Sequence, residues 1–151
     1  MSSQKVDKIQ WVQRTAEKMQ VNSSDEKQRW NEYWLEAYFS LGGTKSNTGS
    51  KPCPKAAAYG LWYLGRIVGS NRTKLKWSIE QIRKHLGKNA AYAEMAIGLL
   101  EQKDYGSVHA LWQEVQFLYQ QKLSEKPAHS EQGEIALTML LYKAGLITAS
   151  V

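Results

Sequence analysis

Cysteine is almost absent: Cys53 is the only one in 151 residues. A lone cysteine excludes an internal disulfide and a thiolate-rich zinc site. It suits a reducing compartment. No apolar run is long enough to cross a bilayer, and nothing apolar follows Met1-Ser2-Ser3-Gln4-Lys5 to serve as a signal peptide. A cytoplasmic protein with no membrane contact is therefore expected. No block of five like charges occurs, which argues against a charged tail. His85 and His109 have no second ligand at metal spacing, so no metal is expected. There is no Gly-x-Ser-x-Gly elbow and no phosphate-cradling glycine loop, and no cofactor is implied. No segment alternates with period two strongly enough to be a strand.

What remains is helical. The chain is long enough to bury one core unaided. Val6, Ile9, Val12, Ala16 and Met19 recur at steps of three and four, which predicts an amphipathic helix over about Gln4 to Gln20. Val21-Asn22 ends it. Ser23 with Glu26 fits a capping box for a second helix running to Leu41. Its apolar face is Trp30, Tyr33, Trp34, Ala37, Tyr38 and Leu41. Residues 44–52 are polar and aperiodic, and a mobile loop is expected there. Pro54 suits the first turn of a third helix, placing Cys53 at or beside its N-cap, with Ala57, Leu61, Leu64, Ile67 and Val68 as its core face. Gly60 offers close approach to a neighbour. Gly69-Ser70-Asn71-Arg72 reads as a turn. Ser78 with Gln81, Asn89, Ser107 and Ser130 are the expected caps of four further helices. The expectation is an all-α, single-domain bundle of six or seven short helices over residues 1–151, with the helix of residues 1–22 at its periphery. There is also an internal echo. Leu61-Trp62-Tyr63-Leu64-Gly65-Arg66-Ile67 matches Leu141-Tyr142-Lys143-Ala144-Gly145-Leu146-Ile147 in pattern, both being helix ends closing on glycine. Shared capping chemistry accounts for such an echo without a repeat.

Several stretches resemble a known family. Lys51-Pro52-Cys53-Pro54-Lys55-x-Ala57-x-x-Gly60-Leu61 is similar to the Cys-Pro-Lys helix-start motif of a family of small uncharacterised bacterial proteins. Asn89-Ala90-Ala91-Tyr92-Ala93, Leu111-Trp112-x-x-Val115 and His129-Ser130-x-Gln132 follow in the same order, before a helix ending Ala144-Gly145-Leu146-Ile147. The likeness spans Asp25 to Ile147, with extra residues here around Lys74 to His85. Pro52 stands where glycine is expected, and Glu134 falls near an expected Asp. The resemblance implies a bacterial, helical, single-domain chain. It draws attention to Cys53 and His129 and brings no activity with it.

Two constellations carry candidate chemistry. At a helix start, unpaired N–H groups and the dipole favour a thiolate at Cys53, and Lys51 and Lys55 add positive charge. His129, near another helix start, is the candidate base. Gln132, one turn on, is a candidate oxyanion donor. Against this stands the commoner use of such residues: a cysteine filling a small core gap and a histidine capping a helix. The second constellation is basic. Arg66, Arg72, Lys74 and Lys76, with Arg83, Lys84 and Lys88, interleave with Trp77, as in surfaces that neutralise phosphates and stack a base. Its plain alternative is a solvated helix face, since Glu80 interrupts it. The formal charge of +6 and pI near 9.4 permit an acidic partner.

The leading expectation is a small helical binding protein engaging an acidic protein or nucleic acid through Lys51, Lys55, Arg66, Arg72, Lys74, Lys76 and Trp77. The alternative is a thiol enzyme performing acyl or thiol transfer, with Cys53 as nucleophile, His129 as base and Gln132 as helper. A third reading is a structural subunit that associates through its Trp/Tyr helix, although at this spacing such a stripe is more often core. The oligomeric state stays open.

Overall fold

A computed structural model describes residues 6–19, 25–70 and 72–148. The elements are α1 (Lys8–Lys18), α2 (Glu26–Ser40), a single turn α3 (Ser46–Gly49), α4 (Pro52–Tyr63), α5 (Ile79–Leu86), α6 (Lys88–Gln102), α7 (Val108–Leu123) and α8 (Glu134–Lys143). Seven of these run eight residues or more, so the all-α bundle holds. Among the described residues the only β-type contact is an isolated antiparallel bridge, Ile67 to Ile147. No helix of the described residues is long and apolar enough to cross a membrane.

Local chemistry sets most boundaries. The Asp7 carboxylate accepts from the N–H groups of Ile9 (2.9 Å) and Gln10 (3.3 Å), so α1 begins at Lys8; the expected bounds Gln4 and Gln20 lie outside the described residues. Val21-Asn22, the capping residue Ser23 and Asn71 lie outside the described residues. Ser78 and Gln81 form the expected capping box, and Ser107 accepts from Ala110 N–H at 3.1 Å. Two expected caps are corrected. Asn89 lies inside α6, which Gly87 precedes with φ +94°. Ser130 does not cap α8. Glu131 does, accepting from Ile135 N–H (3.0 Å) and Ala136 N–H (3.3 Å). The third long helix also starts earlier than expected, at Pro52, so Cys53 lies in its first turn with Lys51 as N-cap. The segment expected to be an aperiodic loop contains the α3 turn.

Helix α6 is central. It touches α4, α5, α7 and α8 and buries Ala90, Ala91, Ala93 and Ala96 along with Tyr92, Met95 and Ile97. Its alanines admit a close crossing with α4. A Cβ placed on Gly60 would collide with the Cβ of Ala90 and lie 3.2 Å from its Cα, which is why glycine stands there. The apolar interior forms two clusters flanking α4, α6 and α8. One holds Trp11, Trp30, Trp34, Tyr38, Trp62 and Leu137. The other holds Ile82, Tyr92, Leu111, Trp112, Tyr119 and Ile135. Burying such a side chain stabilises the fold by about 1.5–3 kcal/mol. The first helix buries Trp11 and Val12 in the first cluster. The aromatic stripe is core, as its spacing indicates: Trp30, Trp34 and Tyr38 are buried and Tyr33 half-buried.

The two echoing helix ends meet each other. Gly65 (φ +74°) and Gly145 (φ +76°) take left-handed conformations. Behind each, the next N–H reaches back, Arg66 to Leu61 O (2.8 Å) and Leu146 to Leu141 O (3.0 Å). The exits then pair. Val68 N–H donates to Leu146 O and Thr148 N–H to Arg66 O, both at 2.8 Å. The starts of α4 and α8 are also adjacent, since Gly133 lies against Pro54 and Lys51. The two helices therefore run side by side in the same direction.

Candidate functional site

The basic constellation divides in three dimensions. Arg66 is 5% exposed. Its guanidinium donates to Thr148 O at 2.7 Å and faces Glu94 at 3.3 Å. Arg72 is also occupied. It pairs with Glu26 at 3.0 Å, donates to Tyr63 O, and lies over the rings of Tyr63 (4.4 Å) and Trp62 (4.9 Å). Arg72 therefore serves the fold first, joining the start of α2 to the end of α4. Lys55 is half-buried, with its carbonyl accepting from the Trp30 indole at 3.2 Å. Lys51, Lys74 and Lys76 are exposed.

Four of the singled-out residues nevertheless come together. Arg66, Lys74, Lys76 and Trp77, with Ser78 and Glu94, line a pocket of about 430 Å³ between the exit of α4, the segment leading into α5, and α6. Trp77 is half-buried and in tilted contact with the rings of Tyr63, at 5.5 Å, and His85, at 5.3 Å. This is the structural use of His85. Glu94, absent from the sequence-based candidates, is the acidic member of the pocket. Burial pushes its carboxyl up, though Arg66 pulls in the other direction. Its Oε2 is buried and has no hydrogen-bond partner among the described residues. Nothing in the sequence marks Glu94 out, because its meaning comes from facing Arg66, in the exit of α4, from α6.

Cys53 lies elsewhere, where the starts of α4, α6 and α8 converge. It is half-buried. Burial raises its pKa first, and Glu134 adds to that. Hydrogen bonding to Asn89 and the charges of Lys51 and Lys88 act in the lowering direction without prevailing. The expected lowering of the thiol pKa by helix start and lysines is thus outweighed. Glu134 is 1% exposed; burial pushes its carboxyl up, and Glu131 adds to this. Its Oε2 accepts from Gln132 N–H at 3.1 Å. Asn89 and Glu134 are the companions of Cys53 that sequence reasoning missed.

His129 and the Gln132 side chain are not among the groups that shift the Cys53 thiol. His129 is exposed, and its carbonyl accepts from the Gln116 amide at 3.3 Å. The exposed Gln132 side chain donates to Ser130 Oγ at 2.8 Å. No group of three metal-ligating side chains occurs among the described residues.

A family model described as "Family of unknown function (DUF6979)" matches residues 10–148. That span takes in all of α2 to α8 and most of α1. No curated protein and no solved structure matches the chain.

Proposed function

The chain belongs to this family of unknown function, and from that premise we propose that it is a binding protein whose partner is a single-stranded nucleic acid, engaged at the pocket of Arg66, Lys74, Lys76 and Trp77. The observation that carries the reading is the convergence of these four residues on one pocket. Its volume of about 430 Å³ lies in the range of small-ligand pockets, which suits one nucleotide unit of a longer strand. Lys74 and Lys76 stand exposed to neutralise phosphate. Trp77 supplies a π-face. The buried Oε2 of Glu94 is an acceptor for the exocyclic amino group that adenine, guanine and cytosine carry and an acidic peptide's carboxylates lack. A single cysteine in the chain fits work in the reducing cytoplasm.

The test is the anisotropy of a labelled single-stranded DNA across a salt series. Affinity is expected to fall with salt. Replacing Lys74 and Lys76 together by Ala should weaken binding and flatten the log–log salt slope by about 1.4. Affinity indifferent to salt, or none at all, overturns the reading. An acidic peptide that binds where DNA does not would turn it to an acidic protein partner. The thiol-enzyme reading has less support, since burial and Glu134 push the Cys53 thiol up.

A further inference from the structure

A second cavity, of about 130 Å³, lies where α1, α2 and the α3 turn meet the starts of α4 and α8. Its apolar walls are Trp11, Trp34, Pro54 and Leu137. Its polar groups come from Lys8, Thr48 and Lys51. Every one of these polar side chains offers a hydrogen-bond donor, two of them carry positive charge, and no carboxylate among the described residues lines the cavity.

Trp34 adds a further donor. It is 1% exposed, and its indole N–H has no acceptor among the described residues. The tryptophans stacked on either side of it are satisfied. Trp11, at 4.4 Å between ring centroids, donates to Trp34 O at 2.7 Å. Trp30, at 5.9 Å, donates to Lys55 O at 3.2 Å. A buried donor without an acceptor is costly and rare in folded proteins. Here it belongs to a residue that lines a cavity.

We infer that this cavity binds a small organic anion, a carboxylate with a short apolar tail. The carboxylate oxygens accept from the Trp34 indole N–H and the lysine ammonium groups, and the tail packs against Trp11 and Leu137. The volume suits roughly six heavy atoms, since a cavity of similar size holds benzene. This site is separate from the pocket of Arg66 and Trp77 and stands independently of the nucleic-acid reading.

The test is a titration of the ¹⁵N-labelled full chain with butyrate, following the tryptophan indole signals. Butyramide serves as the neutral isostere and sodium chloride as the control. The indole signal that Trp34→Phe removes is expected to shift saturably with butyrate. Butyramide should bind roughly tenfold more weakly or worse, because charge-assisted bonds are lost. Lys51→Gln, at an exposed position, should weaken butyrate and leave butyramide unchanged. If Trp34→Phe does not fold, the signal is identified from its through-space contacts with Trp11. Equal shifts from butyrate and butyramide would overturn the anion assignment. A signal unmoved by either, or moved alike by chloride, would overturn the site.

Discussion

Cys53 shows how a local rule yields to its surroundings. One residue inside α4, it has the helix start that stabilises a thiolate. Partial burial and the neighbouring Glu134 nonetheless push the thiol up. Alkylation of the folded protein is therefore expected to be slow at neutral pH, with an apparent midpoint above the ~8.5 of a free thiol. Glu134→Gln removes a raising charge and keeps an acceptor for Gln132 N–H, so its midpoint should fall. His129→Ala should leave the rate unchanged. A wild-type midpoint below neutrality that rises in His129→Ala would restore the Cys–His enzyme. At Gly60 the expected effect is steric. Gly60→Ala drives a methyl into Ala90 of α6. Overpacking of this kind costs about 1–3 kcal/mol, a Tm drop of roughly 2–12 °C for a chain of this size. Thermal melts should show most of the loss recovered when Ala90→Gly is added.

Among the elements, the start of α8 offers the sharpest contrast between local sequence and actual cap. Glu131→Ala removes the acceptor of the Ile135 and Ala136 N–H groups and should cost about 1–2 kcal/mol in chemical denaturation. Ser130→Ala should cost little, because its hydroxyl only receives the exposed Gln132 amide. Equal costs would restore Ser130 as the cap. The same contrast explains what the sequence made legible. Helical spacing exposed α2, α6 and α7, because a buried face repeats whatever it packs against. The Ser78/Gln81 box and the Ser107 cap could be read because both partners lie within one turn. Asn89 and Ser130 misled, because several polar residues precede each helix and packing chooses among them. The candidate site divides likewise. Cys53 and the basic run announce themselves by type. Asn89, Glu94 and Glu134 gain their roles only by meeting residues 28 or more positions away, on other parts of the fold, and no local pattern records that.

At the scale of the molecule, the two apolar clusters each bury a tyrosine whose ionisation opposes folding. Tyr59 in the first cluster and Tyr119 in the second are both pushed up to about 12 by burial. Tyr119 also donates to Glu125, and Arg83 donates to Tyr119 at 2.9 Å. Both phenols stay protonated in the native state while their unfolded counterparts ionise near pH 10. The native state then binds more protons, so stability must fall as pH rises from about 10 to 12. Tyr59→Phe and Tyr119→Phe should each flatten that decline when denaturation midpoints are followed against pH. Parallel slopes in wild type and variants would refute the assignment.

The pairing of the α4 and α8 exits has a consequence in time. Thr148 closes on Arg66 and Gly65, so one wall of the basic pocket depends on residues made some eighty positions later. A nascent chain can form α4 and its glycine-closed end early, yet it cannot complete that wall until the last helix has been synthesised and docked. A chain stopped after Lys143 should accordingly leave the Val68 amide, which Leu146 O otherwise accepts, open to hydrogen exchange. Completion of this pocket thus waits for residues 144–148, and a chain stopped short of them lacks the wall that Thr148 holds in place.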